Sequence, residues 1–294
     1  MVAAFLRALR PRQWLKNGII FAGIIFSQNL GDPKLDLLAL WAFVLFCLLS
    51  SAVYLVNDLA DLKRDRLHPT KRHRPLASGA LPVGVGVVAA VVFGAGALAA
   101  SFALNASFGW LAAGYVALNL SYSFGLKHVV ILDVFAVAVG FVIRAAAGAA
   151  AIEVTISPWF LICTILLALF LALSKRRHEL VLLDASAGQH RRSLTEYSPY
   201  LLDQMIAVVT ASTVVSYSLY TMSADTVEKF GTQNLVYTVP FVLFGIFRYL
   251  YLIHQKDEGG APEKIPVSDV PMIATILLWL ATAGLILYGP FAGR

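Results

Sequence analysis

Charged residues are scarce in this chain. Lys, Arg, Asp and Glu make up 14% of its 294 residues, whereas apolar side chains make up 59%. A typical soluble domain carries about 25% charged and about 45–50% apolar residues. The mean hydropathy of +0.75 agrees with this imbalance. The composition therefore excludes an ordinary soluble domain and predicts a protein that lies largely within a membrane.

Cysteine is almost absent as well. The two cysteines, Cys47 and Cys163, both lie inside apolar runs. Cysteines in such surroundings usually pack as small hydrophobic side chains. The sequence therefore predicts neither a disulfide nor a cysteine-based metal site.

Long apolar runs dominate the chain instead. A helix needs about 20 apolar residues to cross the hydrocarbon core of a bilayer. Nine runs qualify as candidates, near residues 14–30, 36–57, 82–104, 107–125, 129–151, 157–174, 203–223, 234–253 and 269–290. The first has an amphipathic start, and no signal-peptide cleavage site follows it. We therefore predict an all-α, polytopic membrane protein that forms one integral-membrane domain over residues 1–294.

Basic residues are distributed unevenly between the two ends of these predicted helices. If the N-terminus is cytoplasmic, the inner segments carry most Lys and Arg, including Arg7 to Lys16, Lys63 to Arg74 and Lys175 to Arg177. The outer segments carry only Lys34, Lys229 and Arg294. This bias follows the positive-inside rule. The longer polar connections, 58–81 and 175–202, then lie on the cytoplasmic side, and loops of that length are often functional.

Three aspartates follow the second apolar run at helical spacing. Asp58, Asp61 and Asp65 are three and four residues apart, so a continuous helix would place them on one face. Clustered carboxylates repel one another unless a cation or strong solvation separates them. Mg²⁺ takes one or two protein carboxylates and completes its shell with water and phosphate oxygens. We predict that these three residues hold Mg²⁺ against a diphosphate, with a solvated charged loop as the alternative.

Basic residues follow the aspartates directly. Lys71, Arg72 and Arg74 lie between Pro69 and Pro75, and Arg gives a planar fork to phosphate. Two further stretches carry bases at predicted inner helix ends. Tyr122 and Lys127 lie at the inner end of the fourth run, and they either contact phosphate or anchor the helix at the interface.

The fifth apolar run contains a deeply placed charge. Arg144 lies well inside it, where a charge is costly and usually faces a cavity or a partner. It either pairs with an acid inside the bundle or holds an anionic group of the substrate. Gly140 and Gly148 flank it, and small residues favour close helix packing. Asp133 lies near the inner end of the same run.

A basic stretch follows the sixth run. Lys175, Arg176 and Glu179 lie there, and Arg191 and Ser193 follow in the same connection. The bases are either topogenic or contact phosphate, and Glu179 is a further candidate metal ligand. The stretch from Arg10 to Asn17 is most simply an interfacial anchor.

Together these motifs resemble the UbiA superfamily of intramembrane prenyltransferases. The resemblance covers nearly the whole chain and rests on Asn57-Asp58-x-x-Asp61-x-x-x-Asp65 and Tyr122-Ser123-x-x-Leu126-Lys127. It implies about nine transmembrane helices around a central cavity. Within the superfamily, the stretches from Arg10 to Asn17, from His68 to Pro75 and from Lys175 to Leu180 are most similar to the decaprenyl-phosphate phosphoribosyltransferase branch. Aromatic prenyltransferases of this fold carry a second aspartate-rich motif where this chain has Lys175 to Glu179.

The resemblance implies phosphoribosyl diphosphate as donor and a polyprenyl phosphate of decaprenyl type as acceptor, in cell-wall precursor synthesis at the bacterial plasma membrane. We predict Asp58, Asp61 and Asp65 as the catalytic and metal-binding residues. We predict as substrate-binding Lys16, Asn57, Arg66, Lys71, Arg72, Arg74, Tyr122, Lys127, Arg144, Lys175, Arg176, Glu179, Arg191 and Ser193. An aromatic prenyltransferase and a non-catalytic lipid transporter are the alternatives. No nucleic-acid partner is expected, and the oligomeric state stays open, a homo-oligomer included.

Overall fold

The structure is a computed structural model, and it describes residues 1–183, 194, 196–256 and 265–288. The chain divides into two compact units: residues 1–126 with 140–156 form unit 1, and residues 127–139 with 157–294 form unit 2. Within the described residues every regular element is helical. The all-α prediction is therefore confirmed, whereas a single domain over the whole chain stays a prediction.

Thirteen α-helices are numbered here in chain order. They are α1 Val2–Leu9, α2 Ala22–Phe26, α3 Pro33–Ala60, α4 Leu62–Leu67, α5 Val83–Leu104, α6 Ala106–Phe124, α7 Leu132–Ala151, α8 Pro158–Leu183, α9 Pro199–Met222, α10 Ala224–Phe230, α11 Val239–Gln255, α12 Ile265–Ser268 and α13 Val270–Tyr288. The 3-10 helices cover Pro11–Phe21, Lys71–His73, Leu126–His128 and Asn234–Thr238.

Polar caps set the starts of several long helices. The Asp32 carboxylate accepts hydrogen bonds from the amides of Lys34 and Leu35, at 2.9 and 3.2 Å, and begins α3. Asn105 caps α6 in the same way, because its side-chain oxygen accepts from the Phe108 amide at 2.7 Å. Such caps satisfy amides that have no partner within the helix. They allow each apolar run to begin at a defined residue.

Seven of the helical segments in the described residues are long and apolar enough to cross a membrane. They are Pro33–Ala60, Val83–Leu104, Leu132–Ala151, Pro158–Val181, Pro199–Met222, Asn234–Gln255 and Val270–Tyr288. The polytopic prediction is confirmed, but the predicted number of nine is too high by this measure. The run near 107–125 does form a helix, α6, but Asn119, Ser121, Tyr122 and Ser123 make its second half polar.

The predicted first span near 14–30 is wrong as a continuous apolar α-helix. Its residues form an 11-residue 3-10 helix, Pro11–Phe21, followed by the 5-residue helix α2. Long 3-10 runs are uncommon because their hydrogen-bond geometry is poorer. Here the segment is held by packing, because Asn17 and Ile20 are fully buried within unit 1.

Close backbone contact fixes this segment against α7. A Cβ built on Gly148 would lie 2.0 Å from the carbonyl oxygen of Ile20. A Cβ on Gly23 would lie 2.8 Å from the amide nitrogen of Ala149. Both obstacles are backbone atoms, so no side-chain rotation can make room. The predicted close packing at Gly148 is confirmed, and it holds the N-terminal segment against α7.

Aromatic side chains fill the centre of unit 1. The Phe46 ring on α3 meets the Phe108 and Tyr115 rings on α6, with centroids 5.6 and 5.3 Å apart. All three residues are buried, together with Leu49 of α3. Tilted aromatic pairs of this kind stabilise a fold beyond the area they bury. This core places α6 against the middle of α3.

A buried ion pair lies at the centre of the described part of unit 2. Asp133, near the start of α7, has no exposed surface and accepts a hydrogen bond from Arg176 Nε of α8 at 3.0 Å. Its other oxygen accepts from the Tyr197 hydroxyl at 2.8 Å. That hydroxyl accepts in turn from the Ile131 amide at 2.7 Å. The pair therefore joins α7, α8 and the segment that precedes α9.

The Tyr197 hydroxyl remains a proton donor over the physiological range. Burial is the main reason that its pKa is raised to about 12, and the hydrogen bond to Asp133 acts in the same direction. A phenol with a raised pKa is neutral at any pH below its ordinary pKa. Its hydrogen bond as a donor is lost only as the pH rises through the raised pKa. This link to Asp133 is therefore insensitive to pH in neutral solution.

We expect Gly148→Ala to destabilise the protein by about 1–3 kcal/mol, the usual cost of overpacking. The melting temperature of the detergent-purified protein measures this loss. The control is Gly96→Ala in α5, where nothing lies within 4 Å of the added Cβ. Because Ala is the better helix former, the control should be neutral or stabilising. Equal melting temperatures for both variants would contradict the close contact.

We expect Asp133→Asn to lower stability by about 3 kcal/mol, because it leaves Arg176 with an incompletely compensated buried charge. The control is Asp203→Asn. Asp203 pairs with Arg177 at 2.5 Å, but its side chain is 37% exposed, and exposed pairs contribute about 0–1 kcal/mol. Thermal unfolding followed by intrinsic fluorescence compares the two. A loss in the Asp133 variant no larger than the loss in the Asp203 variant would contradict this role of the buried pair.

Candidate functional site

Two carboxylates converge on one guanidinium at the C-terminal end of α3. Asp58 lies in the last turns of α3 and Asp65 in α4, and both are 3% exposed. The Arg74 Nη1 atom donates to Asp58 Oδ1 at 3.0 Å and to Asp65 Oδ2 at 2.7 Å. The two acids are therefore close to each other, and a single cationic nitrogen lies between them.

Arg10 approaches the same acid from the N-terminal segment. Its Nη2 atom donates to Asp58 Oδ1 at 2.5 Å, and its guanidinium lies 4.8 Å from the centre of the Tyr54 ring. The backbone at Arg10 is left-handed, with φ of 53°, a conformation that costs a non-glycine residue of order 1–3 kcal/mol. It allows the chain to turn between α1 and the following 3-10 helix. The strain indicates that this position is under constraint.

The loop after α4 returns Arg74 to the aspartates. His68 ends α4, and its Nδ1 atom accepts hydrogen bonds from the amides of Thr70 and Lys71, at 3.2 and 3.3 Å. The short 3-10 helix Lys71–His73 follows, and Arg74 is its C-terminal cap. The predicted phosphate-binding bases therefore differ in their surroundings. Arg74 contacts Asp58 and Asp65, Lys71 is partly buried, and Arg66 and Arg72 are exposed.

The third predicted aspartate is placed differently. Helix α3 ends at Ala60, and Asp61 caps it before α4 begins at Leu62. The helix is therefore interrupted between the acids, and the spacing of three and four does not describe one continuous face. In the described part of the chain no group of three or more His, Cys, Asp or Glu side chains could hold a metal. The place of Asp61 in a metal site stays a prediction.

The remaining acid pair suits a hard divalent cation. Asp58 Oδ1 and Asp65 Oδ2 both lie within hydrogen-bond distance of one Arg74 nitrogen, so they already share a cation. Magnesium sites commonly use one or two protein carboxylates, together with waters and phosphate oxygens of the substrate. Two converging carboxylates, with two guanidiniums beside them, therefore fit Mg²⁺ together with an anionic ligand.

A second polar cluster lies in the interior of unit 1, around Arg144. Its Nε atom donates to Asn17 Oδ1 at 2.8 Å, Nη2 donates to the Tyr115 hydroxyl at 2.9 Å, and Nη1 donates to the Gly140 carbonyl at 3.1 Å. The guanidinium also lies 4.7 Å and 5.2 Å from the centres of the Tyr115 and Phe141 rings. Arg144 is 7% exposed. The alternative of a buried acid as its partner is not realised among the described residues.

The N-terminal segment is tied to α3 beside this cluster. The Asn17 side-chain amide donates to Ser50 Oγ at 3.3 Å, and Trp14 Nε1 donates to Ser51 Oγ at 3.0 Å. Ser51 donates in turn to the Leu9 carbonyl at 3.0 Å. The stretch that the sequence most simply assigns to interfacial anchoring therefore also bonds within unit 1 through Trp14 and Asn17, although Arg12 and Leu15 are exposed and Lys16 is partly buried.

The basic stretch after the sixth apolar run is engaged within unit 2. Arg176 bonds both Asp133 and Glu179, and the roles of Arg176 and Glu179 as substrate or metal ligands stay predictions. Lys175 is partly buried, as are Asn57, Tyr122 and Lys127 in their own segments. Arg191 and Ser193 lie outside the described residues.

Sequence reasoning missed three members of these clusters. Arg10 contacts an acid 48 residues away, and neither Asn17 nor Tyr115 carries a local signal for its contact with Arg144. Each contact depends on helices that meet only in the folded chain. The polar and basic residues from Arg10 to Asn17, and their resemblance to the phosphoribosyltransferase branch, indicate that this stretch is more than an anchor.

Relatives with assigned names match nearly the whole chain. It is 35% identical, over 98% of its length and 93% of the relative's, to the decaprenyl-phosphate phosphoribosyltransferase of Mycolicibacterium smegmatis. It is 36% identical to the Corynebacterium glutamicum protein of the same name, over 94% of this chain and 84% of that one. The nodulation protein NoeC of Azorhizobium caulinodans is 35% identical over 93% and 90% of the two chains.

Solved structures share the fold at lower identity. A UbiA homologue from Archaeoglobus fulgidus, bound to GPP and Mg²⁺, has a TM-score of 0.71 and 21% identity, covering 97% of this chain and 99% of that one. A UbiA homologue from Aeropyrum pernix K1 has a TM-score of 0.63 and 16% identity, over 90% and 97%. The sequence pattern of the UbiA prenyltransferase family matches residues 18–265. The chain is therefore a multi-pass membrane transferase of the UbiA prenyltransferase family.

Proposed function

We propose that the protein transfers 5-phosphoribose from phosphoribosyl diphosphate to a polyprenyl monophosphate of decaprenyl type and releases diphosphate. The observation that carries this choice is the 35% identity, along 98% of the chain, with a relative named decaprenyl-phosphate phosphoribosyltransferase. The acid pair with its two arginines supports it, because that site offers ligands for both a metal and a diphosphate.

The aspartate site of unit 1 would bind the donor's diphosphate. Asp58 and Asp65, with Asp61 beside them, would hold Mg²⁺, which supplies positive charge to the leaving diphosphate. Arg10 and Arg74 already lie beside these acids, at 2.5 and 3.0 Å from Asp58. When the acids bind the metal, both guanidiniums become available to phosphate oxygens, for which Arg is well suited. Arg66, Lys71, Arg72 and Asn57 are proposed as further contacts to the donor.

The reaction needs little chemistry from the protein's own groups. An oxygen of the lipid monophosphate forms the new bond to the anomeric carbon. The bond from that carbon to diphosphate breaks, and its electron pair leaves with the diphosphate. The monophosphate is already anionic near neutral pH, so no general base is required. Catalysis therefore consists of positioning and electrostatic stabilisation, with Lys16, Tyr122, Lys127, Lys175, Arg191 and Ser193 as further proposed contacts.

The excess of Lys and Arg at one set of helix ends supports a location in the bacterial plasma membrane with the N-terminus and the aspartate site cytoplasmic. A water-soluble sugar diphosphate is available on that side. The isoprenoid chain of the acceptor would remain in the hydrocarbon. This orientation is part of the proposal and follows from the same charge asymmetry.

A second candidate is transfer of an isoprenyl group to an aromatic acceptor. It is favoured by the shared fold with an Archaeoglobus fulgidus homologue that binds GPP and Mg²⁺, at 21% identity. The Lys175 to Glu179 stretch counts against it, because Arg176 and Glu179 are paired with each other there and no second aspartate-rich motif is present in that stretch.

We expect the purified protein to label polyprenyl phosphate from radioactive phosphoribosyl diphosphate in detergent, without a membrane gradient. Parallel reactions with an isoprenyl diphosphate and aromatic acids should give no product above background. Thin-layer chromatography of the extracted lipid measures both reactions. Product only in the isoprenyl reactions would establish the second candidate, and no turnover with either donor would favour a transporter.

We expect Asp58→Asn to reduce turnover by at least about 100-fold, because a carboxylate that contributes to binding a leaving diphosphate has been lost. The matched control is Asp36→Asn, the same change at the opposite end of α3, which should keep turnover near that of the wild type. Initial rates at saturating Mg²⁺ and phosphoribosyl diphosphate measure the difference. Wild-type turnover in the Asp58 variant would exclude this site from the reaction.

A further inference from the structure

Arg144 differs from the other buried or half-buried arginines whose contacts the structure describes. Arg176 and Arg248 each bond a carboxylate, Asp133 and Asp269 respectively. Arg144 bonds only neutral groups, and no ion pair to it occurs among the described residues. Its guanidinium carries five N–H groups and cannot lose its charge. Three of these N–H groups form the hydrogen bonds described above. Two N–H donors and the full positive charge therefore remain.

A cation in this position is costly. An Arg at the centre of a membrane helix opposes insertion, and such residues usually face a site or a partner. The carbonyl and hydroxyl oxygens around Arg144 and the two ring faces reduce that cost without neutralising the charge. An anion that binds here would supply the missing countercharge.

The cluster lies deeper along α3 than the aspartate site. Asn17, which accepts from Arg144, donates to Ser50 of α3 at 3.3 Å. Ser50 precedes Asp58 by eight residues, which is about 12 Å along the helix at 1.5 Å per residue. Asp58 is near the C-terminal end of α3, whereas Ser50 and the cluster around Arg144 lie nearer the middle of that helix. The Ser50 side chain that anchors Asn17 is thus a little over two helical turns from Asp58.

The chemistry of a single displacement assigns the two sites different ligands. The nucleophile must reach the anomeric carbon on the face opposite the leaving group, as water does in inverting glycosidases. If the diphosphate leaves toward Asp58 and Asp65, the attacking oxygen comes from the interior side. The acceptor's phosphate is attached to an isoprenoid chain in the hydrocarbon, so it also approaches from that side. The donor has no apolar part and enters from water.

We propose that Arg144, positioned by Asn17 and Tyr115, is the receptor for the monophosphate of the lipid acceptor. This inference rests on the proposed transfer to a polyprenyl phosphate. The guanidinium holds the phosphate through its remaining N–H groups and leaves one oxygen to attack the sugar. Asn17 fixes the plane of the guanidinium through Nε, and Tyr115 fixes it through Nη2, at 2.8 and 2.9 Å. Arginine forks of this kind bind phosphate with defined geometry.

Ligand binding without turnover tests this assignment. The full-length, detergent-purified protein is titrated with farnesyl phosphate, farnesol, ribose 5-phosphate and inorganic phosphate, and affinities are measured by calorimetry. We expect Arg144→Lys to weaken farnesyl phosphate binding by roughly 10-fold to 100-fold, in line with the loss of charged hydrogen bonds. Binding of farnesol and ribose 5-phosphate should not change. The control is Arg248→Lys, whose partner Asp269 lies in unit 2, and it should bind all four ligands as the wild type does.

A second variant covers the case in which Arg144→Lys does not fold. Tyr115→Phe removes only the hydroxyl that accepts from Nη2, and we expect it to weaken farnesyl phosphate binding by roughly 3-fold or more. Unchanged binding of farnesyl phosphate in every folded variant would overturn the proposal. So would a loss confined to ribose 5-phosphate, which would assign Arg144 to the donor, or an equal loss of inorganic phosphate and farnesyl phosphate with no lipid preference in the wild type.

The outcome is separable from that of the proposed function. If phosphoribosyl transfer is absent but farnesyl phosphate binding depends on Arg144, the donor is wrong and the receptor stands. If transfer occurs and the Arg144→Lys variant changes only the KM for phosphoribosyl diphosphate, the function stands and the receptor is wrong.

Discussion

Charge compensation inside a medium of low polarity constrains this molecule more than any other factor. In unit 1, Asp58 and Asp65 are almost completely buried and share Arg74, while Arg10 completes the group from the N-terminal segment. Uncompensated, either carboxylate would destabilise the fold by several kcal/mol. The return of the loop after α4 and the left-handed turn at Arg10 both follow from this need. The geometry of the candidate site is therefore also a condition for folding, and the strain at Arg10 is the local cost of bringing the second guanidinium into place.

The same constraint acts in unit 2, with a different result. Asp133 is fully buried and is compensated by Arg176, which also bonds Glu179. Arg176 and Glu179, which the sequence predicts as ligands of the substrate, are thus paired with each other in this arrangement. Arg176 thus joins α7 and α8. Of the two neighbouring bases Lys175 and Arg176, Lys175 is the one for which phosphate binding is the simpler interpretation. Arg144 of unit 1 departs from this pattern of charge pairing, because its hydrogen-bond partners among the described residues are polar but not anionic. Because of this contrast, Arg144 is a better candidate to bind an anionic ligand than the arginines that already pair with acids.

Much of the fold could be predicted from the sequence, because the apolar runs are long and the helices they form are local. The predicted run 82–104 and the helix Val83–Leu104 agree closely, and the basic and acidic residues of the 58–74 region identify one candidate site. The contacts that complete the site could not be predicted. Arg10 and Asp58 are 48 residues apart, and Arg144 and Asn17 are 127 apart, so no local spacing encodes either contact. The first apolar run could not be placed from local pattern either, because it packs by close backbone contact at Gly23 and Gly148 against a helix more than 100 residues later in the chain.

The charge balance of the aspartate site also explains how it could accept a metal diphosphate. Two carboxylates and two guanidiniums form a neutral group, so the site is stable without ligand. A magnesium diphosphate brings one divalent cation and a polyanion together, and each finds its opposite charge among groups that are already adjacent. Acids alone would favour the metal but repel the diphosphate, and arginines alone would bind the diphosphate without the metal. Exchange of partners within a neutral cluster avoids an unpaired buried charge at either stage. The depth of Arg144 then matters, because a second phosphate brought to the aspartate site itself would meet the acids. Farther into α3, beside Asn17 and Ser50, it meets a cation that pairs with no acid among the described residues.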